Sequence, residues 1–271
     1  MKIGEMRIMI RVGLAALSLL LIAGCAADAS EDEASGQSED AILGGRVEAN
    51  YPAVGMLRWA TAFGTGTLIS PNVVLTAAHV AAGKPTKFLY GTPAAGKAPQ
   101  EASLKSVPVA EILIHPCYAS PKADPACKGE VIDVALVRLA QPITDVAPVP
   151  VVDRPLEYLW GTISPYEGDS CTAVGFGAHL DGNKVSMGTR RSAKSTIDSV
   201  DATELVAVWG TGLATGGDSG GPLLCAGRIV GTVRGSSAPV PKSSIYTRTR
   251  EGYERTDLWR TWIREQLVEW G

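Results

Sequence analysis

Six short runs, Val107–Ile114, Val131–Leu139, Thr172–Phe176, Leu205–Trp209, Leu223–Val233 and Ser244–Thr249, are β-branched or alternating and bounded by Gly, Pro, Asn or Ser. Segments of this length and spacing read as strands separated by turns. The 30 glycines and 17 prolines in 271 residues suit a globular chain of many short strands. Neither an internal repeat nor a coiled-coil heptad is present, so the pattern predicts an all-β barrel or sandwich. One segment differs: Leu258, Trp259, Trp262, Ile263, Leu267 and Trp270 make a single apolar stripe between Arg and Glu positions. That spacing predicts a C-terminal α-helix docked on the body.

The N-terminal region has its own logic. Lys2, Arg7 and Arg11 precede an uncharged apolar stretch from Val12 to Gly24 that is short for a bilayer span, so residues 1–24 read as an export signal. The stretch ends in Leu21-Ile22-Ala23-Gly24-Cys25, similar to a bacterial lipobox, which would lipidate Cys25. Ordinary cleavage after Ala27-Asp28-Ala29 is the alternative and would leave a secreted protein. The envelope-anchored or secreted location expected of the chain follows from these two readings.

Residues 25–41 carry Asp28, Glu31, Asp32, Glu33, Glu39 and Asp40 with no basic residue, the composition of a disordered acidic tether or propeptide. The leader holds three of the 25 basic and one of the 28 acidic residues, and the tether six acidic ones. The remaining body therefore has 22 basic and 21 acidic residues. A charge near +1 offers no electrostatic case for nucleic acid or for an anionic membrane surface. Any membrane association would come through a lipid on Cys25.

The chemistry is concentrated in Gly217-Asp218-Ser219-Gly220-Gly221-Pro222-Leu223. A serine among glycines reads as a nucleophile whose backbone must approach a substrate closely. A hydroxyl is a weak nucleophile at neutral pH and needs a base, a group that orients the base, and amides to receive an oxyanion. Gly-x-Ser-x-Gly also marks the nucleophile elbow of α/β-hydrolases, where the histidine follows the serine. All three histidines, His79, His115 and His179, precede Ser219, which removes that reading. An acid-first order would have only Glu48, near the start of the body, to draw on between the tether and His79. The order left is histidine, acid, serine.

His79, in Leu75-Thr76-Ala77-Ala78-His79, reads as the end of a strand after a hairpin. Asp133 heads the buried-looking strand Asp133-Val134-Ala135-Leu136-Val137. His115, beside Pro116, reads as structural, and His179, in the polar stretch His179–Lys184, as an exposed loop residue. Neither has cysteines or carboxylates at metal-ligand spacing, so no zinc site is expected.

Thr-Ala-Ala-His, Asp-Val-Ala-Leu and Gly-Asp-Ser-Gly-Gly-Pro-Leu, in this order, resemble the chymotrypsin/trypsin-like serine peptidases. The resemblance runs from Ile42 to the C-terminus. It includes Ile42-Leu43-Gly44-Gly45, Ile114-His115-Pro116, Cys171-Thr172-Ala173-Val174-Gly175-Phe176-Gly177, Tyr246-Thr247-Arg248 and Trp262-Ile263.

It implies two antiparallel Greek-key β-barrels, roughly 42–150 and 151–271, with the active site between them and a terminal helix. By the same resemblance His79, Asp133 and Ser219 are the catalytic residues, and Gly217 and Ser219 supply the oxyanion-hole amides. Asp218 would pair with the α-ammonium of Ile42 after cleavage behind Ala41, so the uncut chain is expected to have a poorly formed oxyanion hole. Lipidation at Cys25 and cleavage before Ile42 would then oppose each other, and activation would free the enzyme from its membrane.

The resemblance further implies disulfides Cys171–Cys225 and, in a short loop, Cys117–Cys127. Two other bridges of the family are missing as pairs, with Gly64 and Val80 at one pair of positions and Thr215 opposite the 237–241 loop at the other. No cofactor or metal is implied: the segment that carries calcium in some relatives has no acidic residue from Gly83 to Gln100.

Specificity departs from trypsin. Leu213, followed by Ala214, stands at the pocket floor where trypsin-like enzymes carry Asp, and Ser236 and Ser244 stand on walls that are often glycine. A preference for small or medium apolar residues is expected, and Ala41 fits it. Arg234 replaces the serine that normally touches the catalytic aspartate. It could pair with Asp133, face solvent, or mark a shifted strand. The substrate class expected is protein or peptide, cleaved by a monomer; the competing readings are a trypsin-fold binding protein that has lost activity, and an esterase on the same triad.

Overall fold

A computed structural model describes residues 45–94, 97–122, 125–156, 170–181, 184–209, 214–234 and 250–271. The leader, the tether, Ile42, Leu213, Ser236 and Ser244 lie outside them, as do the expected strand Ser244–Thr249 and the marker Tyr246-Thr247-Arg248.

The strands, in chain order, are β1 (Arg46–Val47), β2 (Val54–Arg58), β3 (Phe63–Ser70), β4 (Val73–Thr76), β5 (Lys87–Tyr90), β6 (Lys105–Ile114), β7 (Ala135–Leu139), β8 (Ser170–Gly175), β9 (His179–Asp181), β10 (Lys184–Ser186), β11 (Arg191–Val200), β12 (Glu204–Trp209), β13 (Pro222–Cys225), β14 (Arg228–Val233) and β15 (Arg250–Arg255). Helices are α1 (Ala78–Ala82), α2 (Pro116–Ala119) and α3 (Arg260–Trp270). Strands β2-β3-β4-β7-β6-β5 close into one antiparallel barrel. Strands β11-β12-β15-β14-β13-β8 close into a second because β8 also pairs with β11, and β1 adds to β11 from outside. Closure removes the exposed sheet edges that short strands would otherwise present.

Each barrel is filled by the inward half of its alternating strands. Leu57, Leu68, Val74, Phe88 and Val137 fill the first; Ala173, Ile197, Leu205, Leu223, Val230 and Tyr253 fill the second. A third apolar cluster forms the seam. Val54, Val73, Leu75 and Leu136 from the first barrel meet Val174, Leu224 and Ile229 from the second. Ile263, Trp259 and Trp262 of the C-terminal segment close over the same cluster, so the stripe read from the sequence is the face by which α3 docks. Burial of each such side chain contributes on the order of 1.5–3 kcal/mol, and the seam therefore fixes how the barrels face each other.

The chain ends also cross over. While α3 packs on the seam, β1 pairs with the second barrel, Arg46 opposite Ser192. Arg190, fully buried, ties this N-terminal segment down: its guanidinium donates to the carbonyls of Glu48, Val54 and Gly91 at 3.0–3.1 Å and of Ala49 at 3.3 Å. Burial pulls the Arg190 pKa down to about 10, although the charge of Glu48 opposes this. Glu48, itself buried, accepts from the Ser192 hydroxyl at 3.0 Å and the Asn50 amide at 2.8 Å, the setting of a structural acid.

Several local expectations change. Leu223–Val233 is a hairpin, β13 and β14, reversed at Ala226 and Gly227 with φ of 49° and 75°, as the two-residue turns that match strand twist require. The run Val131–Leu139 becomes a strand only from Ala135, because the residues before it are used elsewhere: the Val134 carbonyl accepts from His115 N–H at 3.0 Å. The last strand carries a second Tyr-x-Arg, Tyr253-Glu254-Arg255. His179 is buried in β9, paired with Ser186 of β10, where an exposed loop was expected. A polar run here is a small hairpin whose first residue is covered by the body.

Candidate active site

His79 lies in α1, a single helical turn directly after β4, and not at a strand end. The Ala-rich segment supports the turn: Ala81 N–H donates to Ala77 O, and Gly83 N–H closes on Val80 O, both at 3.1 Å. Val80, the next residue, faces Gly64, where an added Cβ would sit 2.7 Å from a Val80 methyl carbon. The branched side chain fills the space at the position pair where the family bridge is missing. The turn thus stays anchored without sulfur.

Asp133 is buried just ahead of β7 and grips His79 twice. Its Oδ2 is 2.7 Å from His79 Nδ1, and its Oδ1 accepts the His79 backbone N–H at 2.9 Å. Burial alone would raise the Asp133 pKa; the ring hydrogen bond, the His79 charge, the backbone bond and the Arg234 charge more than offset it and hold the carboxyl below its usual range. With Nδ1 committed to the carboxylate, Nε2 is the ring's remaining base.

Ser219, half-buried, comes from the loop between β12 and β13. Its carbonyl accepts from Thr65 N–H at 2.9 Å, and the next amide, Gly220, donates to Val233 O at 2.9 Å. Gly220 has φ of 78°, and a Cβ there would lie 2.8 Å from the backbone nitrogen of Ala77. Only glycine allows the serine loop to approach the His79 turn this closely. Gly217 is similarly constrained: its φ is 103°, and a Cβ would meet the Phe63 ring at 2.7 Å. Among the described residues, neither Gly217 N–H nor Ser219 N–H has an acceptor, while Asp218 and Gly221 donate within the loop and Gly220 donates to β14.

Asp218 points away from Ser219 and is fully buried. Oδ1 accepts from Gly177 N–H at 2.7 Å; Oδ2 accepts from Thr215 N–H at 2.8 Å and the Thr215 hydroxyl at 3.2 Å. Burial pushes its pKa up to about 6 against these three neutral donors. These donors reach both carboxylate oxygens.

Arg234 reaches Glu254, with Nε 3.6 Å from Oε2. Glu251, another acid of β15, accepts the Tyr253 hydroxyl at 2.7 Å and the Ala214 amide. Neither acid was expected at the site; both lie in β15, beyond the expected strand Ser244–Thr249. His115 is structural, accepting from Cys117 N–H at 3.3 Å and packing on Trp259 and Trp262 with ring centroids 4.7 and 4.9 Å away. Cys117–Cys127 and Cys171–Cys225 are both bonded. Among the described residues no cluster of three or more His, Cys, Asp or Glu could hold a metal ion.

The profile of the family described as Trypsin matches residues 42–253. Serine protease 56 of Mus musculus is 29% identical over 227 residues, covering 74% of this chain but only 34% of the relative, so the chain spans about a third of that protein's length. Kallikrein-1 of Mus musculus is 31% identical over 232 residues, covering 75% of this chain and 80% of the relative. Neuropsin, a serine protease expressed in the limbic system of mouse brain, superposes with a TM-score of 0.60 at 24% identity, covering 82% of this chain and 98% of that one, a likeness of fold. By the family match, the two closed barrels and the kallikrein relative, the chain belongs to the trypsin-like serine protease family.

Proposed function

We propose that the protein is a serine endopeptidase working through His79, Asp133 and Ser219. The observation that carries this reading is the two-point grip of Asp133 on His79, with the Ser219 loop packed against the same helical turn. Ser219 Oγ attacks the peptide carbonyl while His79 Nε2 takes its proton. The proton then passes to the leaving amine, and water repeats the sequence to release the acyl group. Asp133 orients the ring and stabilises its charged form. The amides of Gly217 and Ser219 receive the oxyanion; losing one such donor costs about two to three orders of magnitude in rate in comparable enzymes.

Activation by cleavage before Ile42 belongs to the same proposal. The chain is already held at Gly45, whose carbonyl accepts from Arg191 at 3.1 Å. Three residues span at most about 11 Å, so a freed Ile42 ammonium has a short radius in which to find an anion, and Asp218 is the buried carboxylate that lacks a charged partner among the described residues. Export, with Cys25 lipidated until cleavage, follows from the leader, and the two disulfides suit an oxidising compartment. Mass spectrometry of the active species checks this: an active form that still carries Cys25 overturns it.

The cleavage preference is read as small or medium apolar residues, from Leu213, Ala214, Ser236 and Ser244. A second reading of specificity alone is favoured by Glu251, whose carboxylate binds the Ala214 amide and could meet a basic side chain. A peptide library decides: Glu251→Gln leaves an apolar preference intact and abolishes a Lys or Arg preference. A fluorophosphonate probe tests the whole reading. Labelling of the Ile42 form that disappears in Ser219→Ala supports the enzyme, no labelling indicates a binding protein, and turnover of esters but of no peptide indicates an esterase.

A further inference from the structure

Behind the His79–Asp133 pair lies a second buried carboxylate, Glu254. It is fully buried. Its Oε2 accepts the Asp133 backbone N–H at 3.3 Å and its Oε1 accepts the Trp259 indole N–H at 3.1 Å. Arg234, with 27% of its side chain exposed, stands 3.6 Å from Oε2. An acid this close to another acid is costly unless a cation accompanies it. The one cation facing it among the described residues is Arg234, the residue that departs from the family pattern. Asp133 faces Glu254 from the segment before β7, with His79 beyond it; Glu204 of β12 and Thr232 of β14 are its register partners in the sheet.

We propose that Arg234 and Glu254 are positioning residues for Asp133: the ion pair holds the Glu254 carboxylate, that carboxylate holds the Asp133 main chain, and together they set the charge felt by the His79 imidazole. The inference rests on the proposed roles of His79 and Asp133. Burial, opposed by Arg234, Trp259 and the Asp133 amide and reinforced by the Asp133 charge, pushes the Glu254 pKa up to about 7. The group therefore changes charge in the neutral range where a histidine base works. Both act through Asp133.

The charge signs make the pair testable. Glu254→Gln removes a negative charge and leaves Arg234 in place, which disfavours imidazolium. Arg234→Gln removes the positive charge and favours it. In the Ile42 form, the acid limb of kcat/KM against pH is expected to move down by about half a unit in Glu254→Gln and up by a few tenths in Arg234→Gln. Arg234→Lys stays near wild type, and the double variant Arg234→Gln/Glu254→Gln returns to within about 0.2 unit of it.

The His79 imidazole resonance, titrated by NMR, reads the same shifts without catalysis. Shifts by NMR in a protein that no fluorophosphonate labels would keep this assignment and overturn the peptidase reading. Unmoved limbs and midpoints overturn the assignment. If Glu254→Gln does not fold, Arg234→Gln alone decides, since absence of its upward shift refutes the pair.

Discussion

Each barrel brings a buried aspartate to the cleft, and the two are held in opposite ways. Asp133, at the first barrel, has a chargeable ring at 2.7 Å and is kept below the usual carboxylate range despite burial. Asp218, at the second, has only amide and hydroxyl donors and is pushed up to about 6. The first arrangement is electrostatically complete in the uncut chain. The second has only neutral donors around it among the described residues. The contrast teaches that the charge of a buried carboxylate is decided by whether a cation or only neutral donors face it.

The largest expected break in this comparison is Asp133→Asn in the Ile42 form. An amide in place of the carboxylate forces the wrong ring tautomer, and kcat should fall by about four orders of magnitude, as in a comparable serine peptidase. Steady-state kinetics on a peptide substrate measure it. Asp218→Asn in the same form should instead act through the oxyanion loop.

Next in size is the covalent stapling of the two barrels. Cys171–Cys225 closes 54 residues in the second barrel and Cys117–Cys127 closes 10 in the first. Chain entropy predicts losses of about 4 and about 3 kcal/mol for the paired Cys→Ala variants, read by denaturant unfolding. Equal losses would show that strain or residual denatured structure dominates.

The pH dependence sharpens the comparison further. Asp218 has a folded pKa raised from 3.8 to about 6, so the folded state binds the extra proton and stability is fully present at low pH. It is lost as pH rises from about 4 to about 6, by up to roughly 3 kcal/mol. Glu254, raised from 4.5 to about 7, adds a parallel loss at slightly higher pH. Urea titrations of uncut Ser219→Ala should show the decline, and Asp218→Asn should flatten its lower part. Cleavage before Ile42 should reverse the Asp218 contribution, because an ammonium partner lowers that pKa. Asp133, already lowered, contributes in the opposite sense and loses stability only on acidification.

Thr215→Val should have the smallest effect. It deletes the hydroxyl shared between Ala178 O at 2.9 Å and Asp218 at 3.2 Å, at a cost of about 1 kcal/mol to the uncut chain. Cleaved enzyme should tolerate it better, since the ammonium would take over that oxygen.

Much of the architecture was legible in short alternating runs cut by glycine and proline, because strand period and turn chemistry are local properties. The apolar stripe from Trp259 to Trp270 showed the docking face of α3 for the same reason. The His79 turn was not legible, since five residues of Ala, His and Val carry too little periodicity to separate a helical turn from a strand end. Nor was the burial of His179, whose polar neighbours suggest solvent until the β9–β10 hairpin folds it inward.

By itself the sequence determined the chemistry available: a serine among glycines, a histidine and an aspartate ahead of it, four cysteines in the body, and an arginine where the family has serine. Only the tertiary structure decided what these groups face. Arg234 meets Glu254 because β14 and β15 lie side by side, and Glu254 meets Asp133 because the apolar seam presses one barrel on the other. Charges act through space and fall off with distance, so their consequences depend on contacts such as that between Asp133 and Glu254, 121 positions apart, which no local pattern encodes.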